Sequence, residues 1–514
     1  MKKLFITTPI YYVNDIPHIG HAYTTVAADA FARHKRLKHG SENVFFLTGT
    51  DEHGQKVEKA ALAAGKTPLA FADAVVVRFK ELWKRLNIFN DVFIRTTEER
   101  HKKAVQELWR RVKEKGDIYK GSYEDWYCVP CETFITEKEV ADGKCPACLR
   151  PVEKVKEESY FSKLSGYRDD ILDHIEKNSD FISPQNRKNE ITSFLKEGLR
   201  DLSVSRPRAR LTWGIPVPDD EAHTIYVWFD ALTNYLTGTG YPGENYKDLW
   251  PADVHFIGKD ILRFHAVYWP AFLLSAGLPL PKKVFAHGWW TVEGQKMSKS
   301  VGNVVDPFEI ADKFGVDQFR YFLLREFPFG LDGDFSIRAL KGRINGELAN
   351  AIGNLLSRTV AMVEKYRGGE IPLPAVIKDS DKEKIRQEFI HVFGIRKIFD
   401  DDMNNLKFSE AIELILVLTR ELNAYVDASA PWTLAKNKDE ATLSNVLYAL
   451  CEGLRIVAVY LYPFMPESSR KIWTQLGIEK RIENCKFDEE VKWGGQIISG
   501  LKVQKGPSLF PKVE

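Results

Sequence analysis

A change of pattern along the chain constrains its fold more than any other feature. Residues 1–118 alternate short β-rich runs, at 4–8, 44–48 and 92–96, with long helical patterns at 22–38, 68–86 and 98–115. Strands separated by helix-length crossovers predict a parallel sheet with helices on its faces. The alternation stops at 119 and returns near 221. Apolar runs follow at 224–227, 254–257 and 284–286, with a helical stretch near 260–276. The intervening segment, 119–220, is irregular, rich in turns and cysteine-bearing, and reads as an insertion between two halves of one sheet. Residues 326–342 read as a linker. After it strand signals nearly vanish, and helical patterns at 344–366, 381–399, 408–428, 440–462 and 467–475 predict an α-helical bundle over 343–514. The expected class is α/β. A doubly wound parallel sheet, built from 1–118 and 221–325, carries the insertion and is followed by the all-α part.

A chain of 514 residues is too long for one core. Its 73 basic and 71 acidic residues leave a net charge of +2, so overall charge does not mark it as a nucleic-acid binder. One segment is locally basic. Arg187, Lys188, Lys196, Arg200, Arg206, Arg208 and Arg210 face only Glu190, Glu197 and Asp201. Charge alone fits a solvated helix face equally well. No apolar run reaches the roughly 18 residues of a membrane helix. The start, Met1-Lys2-Lys3, leads directly into a strand-like run without a cleavage site. The expectation is a cytoplasmic, reduced protein with no membrane partner.

Four of the six cysteines are clustered. Cys128-Val129-Pro130-Cys131 is followed after thirteen residues by Cys145-Pro146-Ala147-Cys148. Four thiolates close a tetrahedral zinc site and leave no position open for substrate, so the role expected is structural. Two disulfides or a redox pair are the alternatives, and a reduced compartment disfavours the former. Cys451 stands in an apolar helical pattern and reads as a small core residue.

Two short segments carry the chemistry. His18-Ile19-Gly20-His21 follows the first β-rich run and opens a long helical pattern. Its histidines are three apart, on one face where a helix begins, and helix N-termini attract anions. Lys296-Met297-Ser298-Lys299-Ser300 follows the run at 284–286 and a Gly-bearing turn. Two lysines in such a turn suit a charged leaving group. Taken singly, the first segment also suits a helix cap and the second a polar loop. In this order the pair resembles the ATP-binding signatures of class I aminoacyl-tRNA synthetases. With Thr7 to His21, Thr48 to Gly54, Tyr226 to Ala231 and Phe256 to Ile261, the resemblance narrows to the methionyl-tRNA synthetase family and covers nearly the whole chain.

The resemblance implies a Rossmann-like catalytic domain with a zinc-bearing connective insertion and an anticodon-binding bundle. It implies activation of L-methionine by ATP, with magnesium, and transfer of the methionyl group to tRNA(Met) for initiation and elongation. His18, His21, Lys296 and Lys299 would be catalytic. ATP would also meet Gly20, Gly258, Lys259, Asp260, Met297 and Ser298. Methionine would lie among Ile10, Tyr12, Trp228, Ala231, Tyr235, Ile261, His265 and Trp269, with Asp51 on its ammonium. Tyr12, Tyr235 and His265 would offer polar contact to its sulfur. Asn350, Asn354 and Arg358, spaced by four, and Trp432 would read the anticodon. Cys128, Cys131, Cys145 and Cys148 would hold one zinc. Two departures from relatives, Pro9 and Leu232, affect only the details of the pocket. A monomer is expected, because the chain ends soon after the bundle. Another class I synthetase fits less well, since the cysteines lie in the insertion and no large editing insertion is apparent. A non-catalytic tRNA-binding relative is the alternative from a different class, and ATP–pyrophosphate exchange separates it.

Overall fold

The computed structural model describes residues 2–129, 133–135, 137, 139–140, 142–146, 148–296, 304–374, 390–494, 496 and 498–514. It divides into two compact units. The first comprises 1–28, 45–84 and 89–289; the second comprises 29–44, 85–88 and 290–514.

Along the first part of the chain, β1 (Leu4–Tyr12), β2 (Val44–Asp51) and β3 (Val92–Arg95) alternate with α1 (Ile19–His39), α2 (Gln55–Ala63), α3 (Pro68–Arg85) and α4 (Glu99–Glu114). The chain then runs through β4 (Ile118–Cys128), β5 (Thr133–Ile135) and β6 (Glu153–Ser162), an antiparallel ribbon carrying the cysteines. It returns to the central sheet through β7 (Ile182–Ser183). The sheet order is β3-β2-β1, then the strands 254–258 and 284–287, then β7. The pairings of β2 with β3, β1 with Val254–Gly258, Val254–Gly258 with Val284–His287, and Val284–His287 with β7 are all parallel. From β1 the chain adds β2 and β3 on one side, and from 254–258 it adds 284–287 on the other, beside the earlier β7. The switch point therefore lies between those two strands, where doubly wound sheets place their ligands.

Most of β1 is buried, with Phe5 and Ile6 fully so. It therefore reads as a continuous apolar run and not as an alternation. Glycine is required at Gly49, where a Cβ would stand 2.1 Å from the Ile94 carbonyl oxygen of the neighbouring strand.

Two expected elements differ. The run at 224–227 does not enter the central sheet. Asp220–Ile225 pairs antiparallel with Ser205–Pro207 and Pro216–Val217 in a small separate sheet. Its apolar residues cover the core beside α4 and look like a sheet strand in sequence. The helical stretch 260–276 is divided into a 3₁₀ turn at Lys259–Ile261, a π-turn at Phe264–Tyr268 and an α-helix at Trp269–Ser275.

In the second unit, helices Val316–Arg325, Ile390–Asn404, Phe408–Ser429, Glu440–Leu461 and Pro466–Gln475 form the bundle. Glu440–Leu461 is long and apolar enough to cross a membrane, but most of it is buried inside this bundle. Glu452 and Arg455 interrupt its apolar sequence, and both are fully buried and paired at 2.6 Å. Arg320 is also fully buried. It donates to the Asp29 carboxylate and to the carbonyls of Leu86, Pro463 and Phe464 at 2.8–3.1 Å. Asp29 accepts as well from Arg33, at 2.7 Å. Burying such a group is tolerable only with its donors matched in this way. Removing Asp29 would leave two buried cations unpaired.

Candidate active site

The loop after β1 builds the first part of the site. His18 caps α1: its Nδ1 accepts from the Gly20 N–H at 3.1 Å, and its carbonyl accepts from His21 and Ala22. The His21 Nδ1 in turn accepts from the His18 N–H at 3.1 Å. Each ring is thus assigned its proton on Nε2 by a backbone donor at Nδ1. The two rings lie 3.9 Å apart, centre to centre. Burial, and then the neighbouring His18, hold His21 well below the usual imidazole range, so it is neutral. A Cβ at Gly20 would press on the His18 ring at 3.0 Å. The helix-cap reading and the phosphate-binding reading of this segment are therefore compatible. The cap fixes the tautomers and puts the proton of each ring on Nε2.

Gly258, Lys259 and Asp260 follow the strand on the other side of the switch point. A Cβ at Gly258 would stand 2.5 Å from an Asp260 oxygen. Asp260 also accepts from the Trp289 indole N–H at 3.1 Å, and the Lys259 ammonium lies 4.3 Å from that ring's centre.

The aromatic residues gather as expected. The Tyr235 hydroxyl donates to His265 Nε2 at 2.7 Å, and His265 Nδ1–H donates to the Ile261 carbonyl at 3.0 Å. Burial lowers the His265 pKa to about 4, which keeps the acceptor nitrogen free of a proton. Trp269, fully buried, lies 6.2 Å from the Tyr235 ring. Trp228 stands edge-on to His265 at 6.5 Å and perpendicular to Tyr12 at 6.4 Å. Ile10 lies half-buried near the end of β1, and Ala231 is buried in the helix Val227–Leu232. Asp51 ends β2, is 2% exposed, and accepts through its carbonyl from the Val13 N–H. The polar contact to sulfur expected of Tyr235 and His265 changes character. Their protons are already committed, to Nε2 and to a carbonyl, so neither has one left for a thioether.

Several supporting residues are not visible in the sequence. His255 lies 4.2 Å from the Tyr235 ring and hydrogen-bonds Thr7 at 2.6 Å; Trp250 packs on Trp269 at 5.9 Å. His255 sits in a fully buried parallel strand, where no alternation distinguishes one face from the other. Asp230, also buried, joins His53 and His101, each at 2.7 Å. Desolvation opposes its charge, but those two histidines outweigh it and bring its pKa down to about 2. This network ties the end of β2, beyond Asp51, to the helix that carries Trp228 and Ala231.

The Sγ atoms of Cys128, Cys145 and Cys148 lie within 4.8 Å of one another, and those of Cys128 and Cys148 are 3.5 Å apart. Disulfide sulfurs stand ~2.04 Å apart. Ligands of one zinc, each about 2.3 Å from it, stand just under 4 Å apart. The cluster fits a metal. Cys131 lies outside the described residues, as do Met297, Ser298 and Lys299. Lys296 pairs with Thr291 across a hairpin turned by Glu293 and Gly294, both at positive φ. The basic segment at 184–210 is partly absorbed by the fold. Arg206 is buried against the rings of Tyr127 and Tyr226, and Arg187 and Arg210 are paired with Glu190 and Glu153.

In the second unit, Asn350 lies in a π-helical stretch, Ile344–Gly353, which continues as the α-helix Asn354–Arg367. Asn350 and Asn354 are exposed, and Arg358 pairs with Asp427 at 2.7 Å. Trp432 is 47% exposed at the start of the short helix Pro431–Lys436.

Residues 4–153 and 149–360 match the family described as tRNA synthetases class I (M), and 393–503 match the anticodon-binding domain of tRNA ligases. The chain is 51% identical to a methionine–tRNA ligase of Caldanaerobacter subterraneus, over 100% of this chain and 80% of that one. It is equally identical to the Rickettsia felis methionine–tRNA ligase, over 99% and 98%. The methionyl-tRNA synthetase of Mycobacterium tuberculosis in complex with methionyl-adenylate superposes with a TM-score of 0.93 at 44% identity, over 99% of this chain and 100% of that one. With two family matches spanning most of its length and relatives this similar, the chain belongs to the methionyl-tRNA synthetase family of class I, and its activity is methionine–tRNA ligation.

Proposed function

We propose the following division of labour. The methionine carboxylate attacks the α-phosphorus of ATP, giving methionyl-adenylate and pyrophosphate. The terminal ribose hydroxyl of tRNA(Met) then takes the acyl group and releases AMP, for both initiation and elongation. His18 and His21 donate from Nε2 to the α-phosphate oxygens, where charge grows in the transition state. Such donors, fixed beforehand, need no reorganisation during the step. Gly20 admits the adenine close to the backbone. Gly258, Lys259 and Asp260 meet the nucleoside across the switch point. Lys296 and Lys299, with Met297 and Ser298 between them, hold the β- and γ-phosphates as they leave.

Asp51 receives the substrate ammonium. Ile10, Tyr12, Trp228, Ala231, Tyr235, Ile261, His265 and Trp269 enclose its side chain. Selection there is by shape, because Tyr235 and His265 satisfy each other. One methylene in an apolar pocket is worth only about 1–3 kcal/mol, so homocysteine is expected to be activated weakly. Cys128, Cys131, Cys145 and Cys148 hold one zinc, which would close the knuckle structurally. Asn350, Asn354, Arg358 and Trp432 read the anticodon. The domain division 1–118, 119–220, 221–325, 326–342 and 343–514, a cytoplasmic location and a monomeric state belong to the same proposal. Light scattering tests the last.

The observation that carries this reading is the pair of backbone-fixed imidazoles at the switch point, in the same unit as the closed aromatic cluster. ATP–pyrophosphate exchange over all twenty amino acids tests it. Methionine alone should support exchange. Exchange with a different amino acid, or none, would defeat the assignment of the pocket.

A further inference from the structure

Asp51, the proposed acceptor of the substrate ammonium, is followed by two residues whose side chains engage different elements. Glu52 is fully buried. Its carboxylate accepts from Arg95 of β3 at 2.7 and 2.9 Å, from the Thr97 hydroxyl at 2.6 Å and from the Thr50 hydroxyl at 2.7 Å. Its N–H donates to the Thr96 hydroxyl at 2.9 Å. His53 engages the other side. Its Nδ1–H donates at 2.7 Å to Asp230, in the helix that carries Trp228 and Ala231. Trp213 joins the two residues: it stands edge-on to the His53 ring at 5.3 Å, and its indole N–H donates to the Glu52 carbonyl. The backbone just beyond Asp51 is thus fixed from both sides.

Asp230 has no part in the substrate contacts assigned above, yet it holds this arrangement together. A carboxylate buried this deeply is tolerable only when its oxygens are matched. One oxygen takes the His53 bond, and the other accepts from His101 Nε2–H of α4 at 2.7 Å. His101 is held in turn, through Nδ1, by the Thr237 hydroxyl at 2.9 Å. Apolar side chains of similar volume would join three buried elements about as well, since replacing a buried ion pair in that way is often neutral. What a satisfied polar network adds is rigidity. Each hydrogen bond fixes a direction and a distance, where an apolar contact tolerates sliding.

We propose that Asp230, acting through His53, is a positioning residue for methionine: it sets the distance between the Asp51 carboxylate and the wall formed by Trp228 and Ala231. The inference rests on the functional reading above, in which Asp51 receives the ammonium and that wall encloses the side chain. An amino acid of the right length then satisfies both ends at once, and a site held ready in this way gains affinity because little is left to order on binding. Asp230 touches neither the substrate nor the reacting atoms. Its effect on methionine is exerted through Asp51.

The test uses the full chain and two ligands, methionine and 4-(methylsulfanyl)butanoate, which keeps the side chain and carboxylate but lacks the ammonium. Asp230→Asn preserves the volume of the side chain and removes its charge and one of its two acceptors. It should weaken methionine binding about tenfold, a coupling usual within one hydrogen-bond network, and leave 4-(methylsulfanyl)butanoate within about twofold. In ATP–pyrophosphate exchange the KM for methionine should rise by the same factor, while kcat and the KM for ATP change little. Combined with Asp51→Asn, Asp230→Asn should weaken methionine no further, because no acceptor is left to position. His53→Gln, which leaves Asp230 on His101, should reproduce each result and serves if Asp230→Asn fails to fold. Unchanged methionine affinity, equal weakening of both ligands, or losses that add to those of Asp51→Asn would overturn the proposal. Wild-type protein that binds the two ligands equally would instead sink the assignment of Asp51 itself.

Discussion

The proposed methionine pocket and the proposed anticodon-reading residues solve opposite problems. In the pocket, Tyr235, His255, His265 and Trp269 are each at most 1% exposed, and the Tyr235 and His265 protons are already assigned. Nothing there is free to improvise. Trp432 is nearly half exposed, Asn350 and Asn354 face solvent, and Arg358 is engaged only with Asp427. A small thioether offers few polar features, so it is recognised by a shape held rigid beforehand. An unstacked base brings its own planar surface and polar edge, so it needs an accessible plane and accessible hydrogen-bonding groups. In the proposed division of labour the buried site carries both half-reactions, whereas the exposed one carries only the step that involves RNA.

The contrast can be broken at several points. The largest effect expected is from metal removal. Structural zinc in small peptides contributes ~10–16 kcal/mol. Chelation should therefore unfold the ribbon at 118–162 while the helical unit keeps its far-UV signal. Metal analysis should find one zinc per chain, and material purified without chelator that lacks zinc would refute the four-cysteine assignment. Next, His21→Ala removes one fixed donor. Exchange and charging should both fall by about 10²–10³ in kcat, the usual effect of losing one such group. Loss of charging alone would place His21 on the RNA side of the comparison.

The third test is pH. His265 folds with a pKa near 4, below its ordinary value of about 6.5. Its contribution is complete above about pH 6.5 and is lost as pH falls toward 4, because the unfolded chain binds the proton first. A shift of that size amounts to roughly 3 kcal/mol for this group. Denaturant titrations at pH 7 and pH 5 should show the loss, and His265→Asn should reduce the slope. An unchanged slope would mean that the imidazole is not buried neutral. The smallest effect is expected from Trp432→Ala. Base–aromatic stacking is worth ~1–3 kcal/mol, so charging should fall about ten- to a hundredfold in kcat/KM. Exchange should stay within a few-fold. If both collapse, Trp432 is a packing residue after all.

Much of this was legible in the sequence, for identifiable reasons. Strands β1 to β3 and helices α1, α3 and α4 appear within a few residues of where their apolar patterns place them, because those patterns are local. The run at 224–227 misled, because an apolar β-rich stretch looks the same whether it pairs in a central sheet or in a three-stranded flap. The π-turns at 264–268 and 344–353 leave no periodic signature of their own. His18 and His21 stand out by spacing, and the cysteines by their paired repeats. His255, Trp250 and the His53–Asp230–His101 network do not, since their partners lie up to 248 residues away in the chain.

By itself the sequence determined the order of the elements, the bundle that follows the sheet, the position of the histidine and lysine segments, and the grouping of the cysteines. These depend on periodicity and local spacing, which chain order preserves. Tertiary structure alone decided which ring nitrogens carry protons, that Tyr235 and His265 satisfy each other, and that Asp230 joins His53 and His101. Those outcomes depend on burial and on partners distant in sequence. Desolvation and hydrogen-bond geometry exist only once the chain has closed on itself.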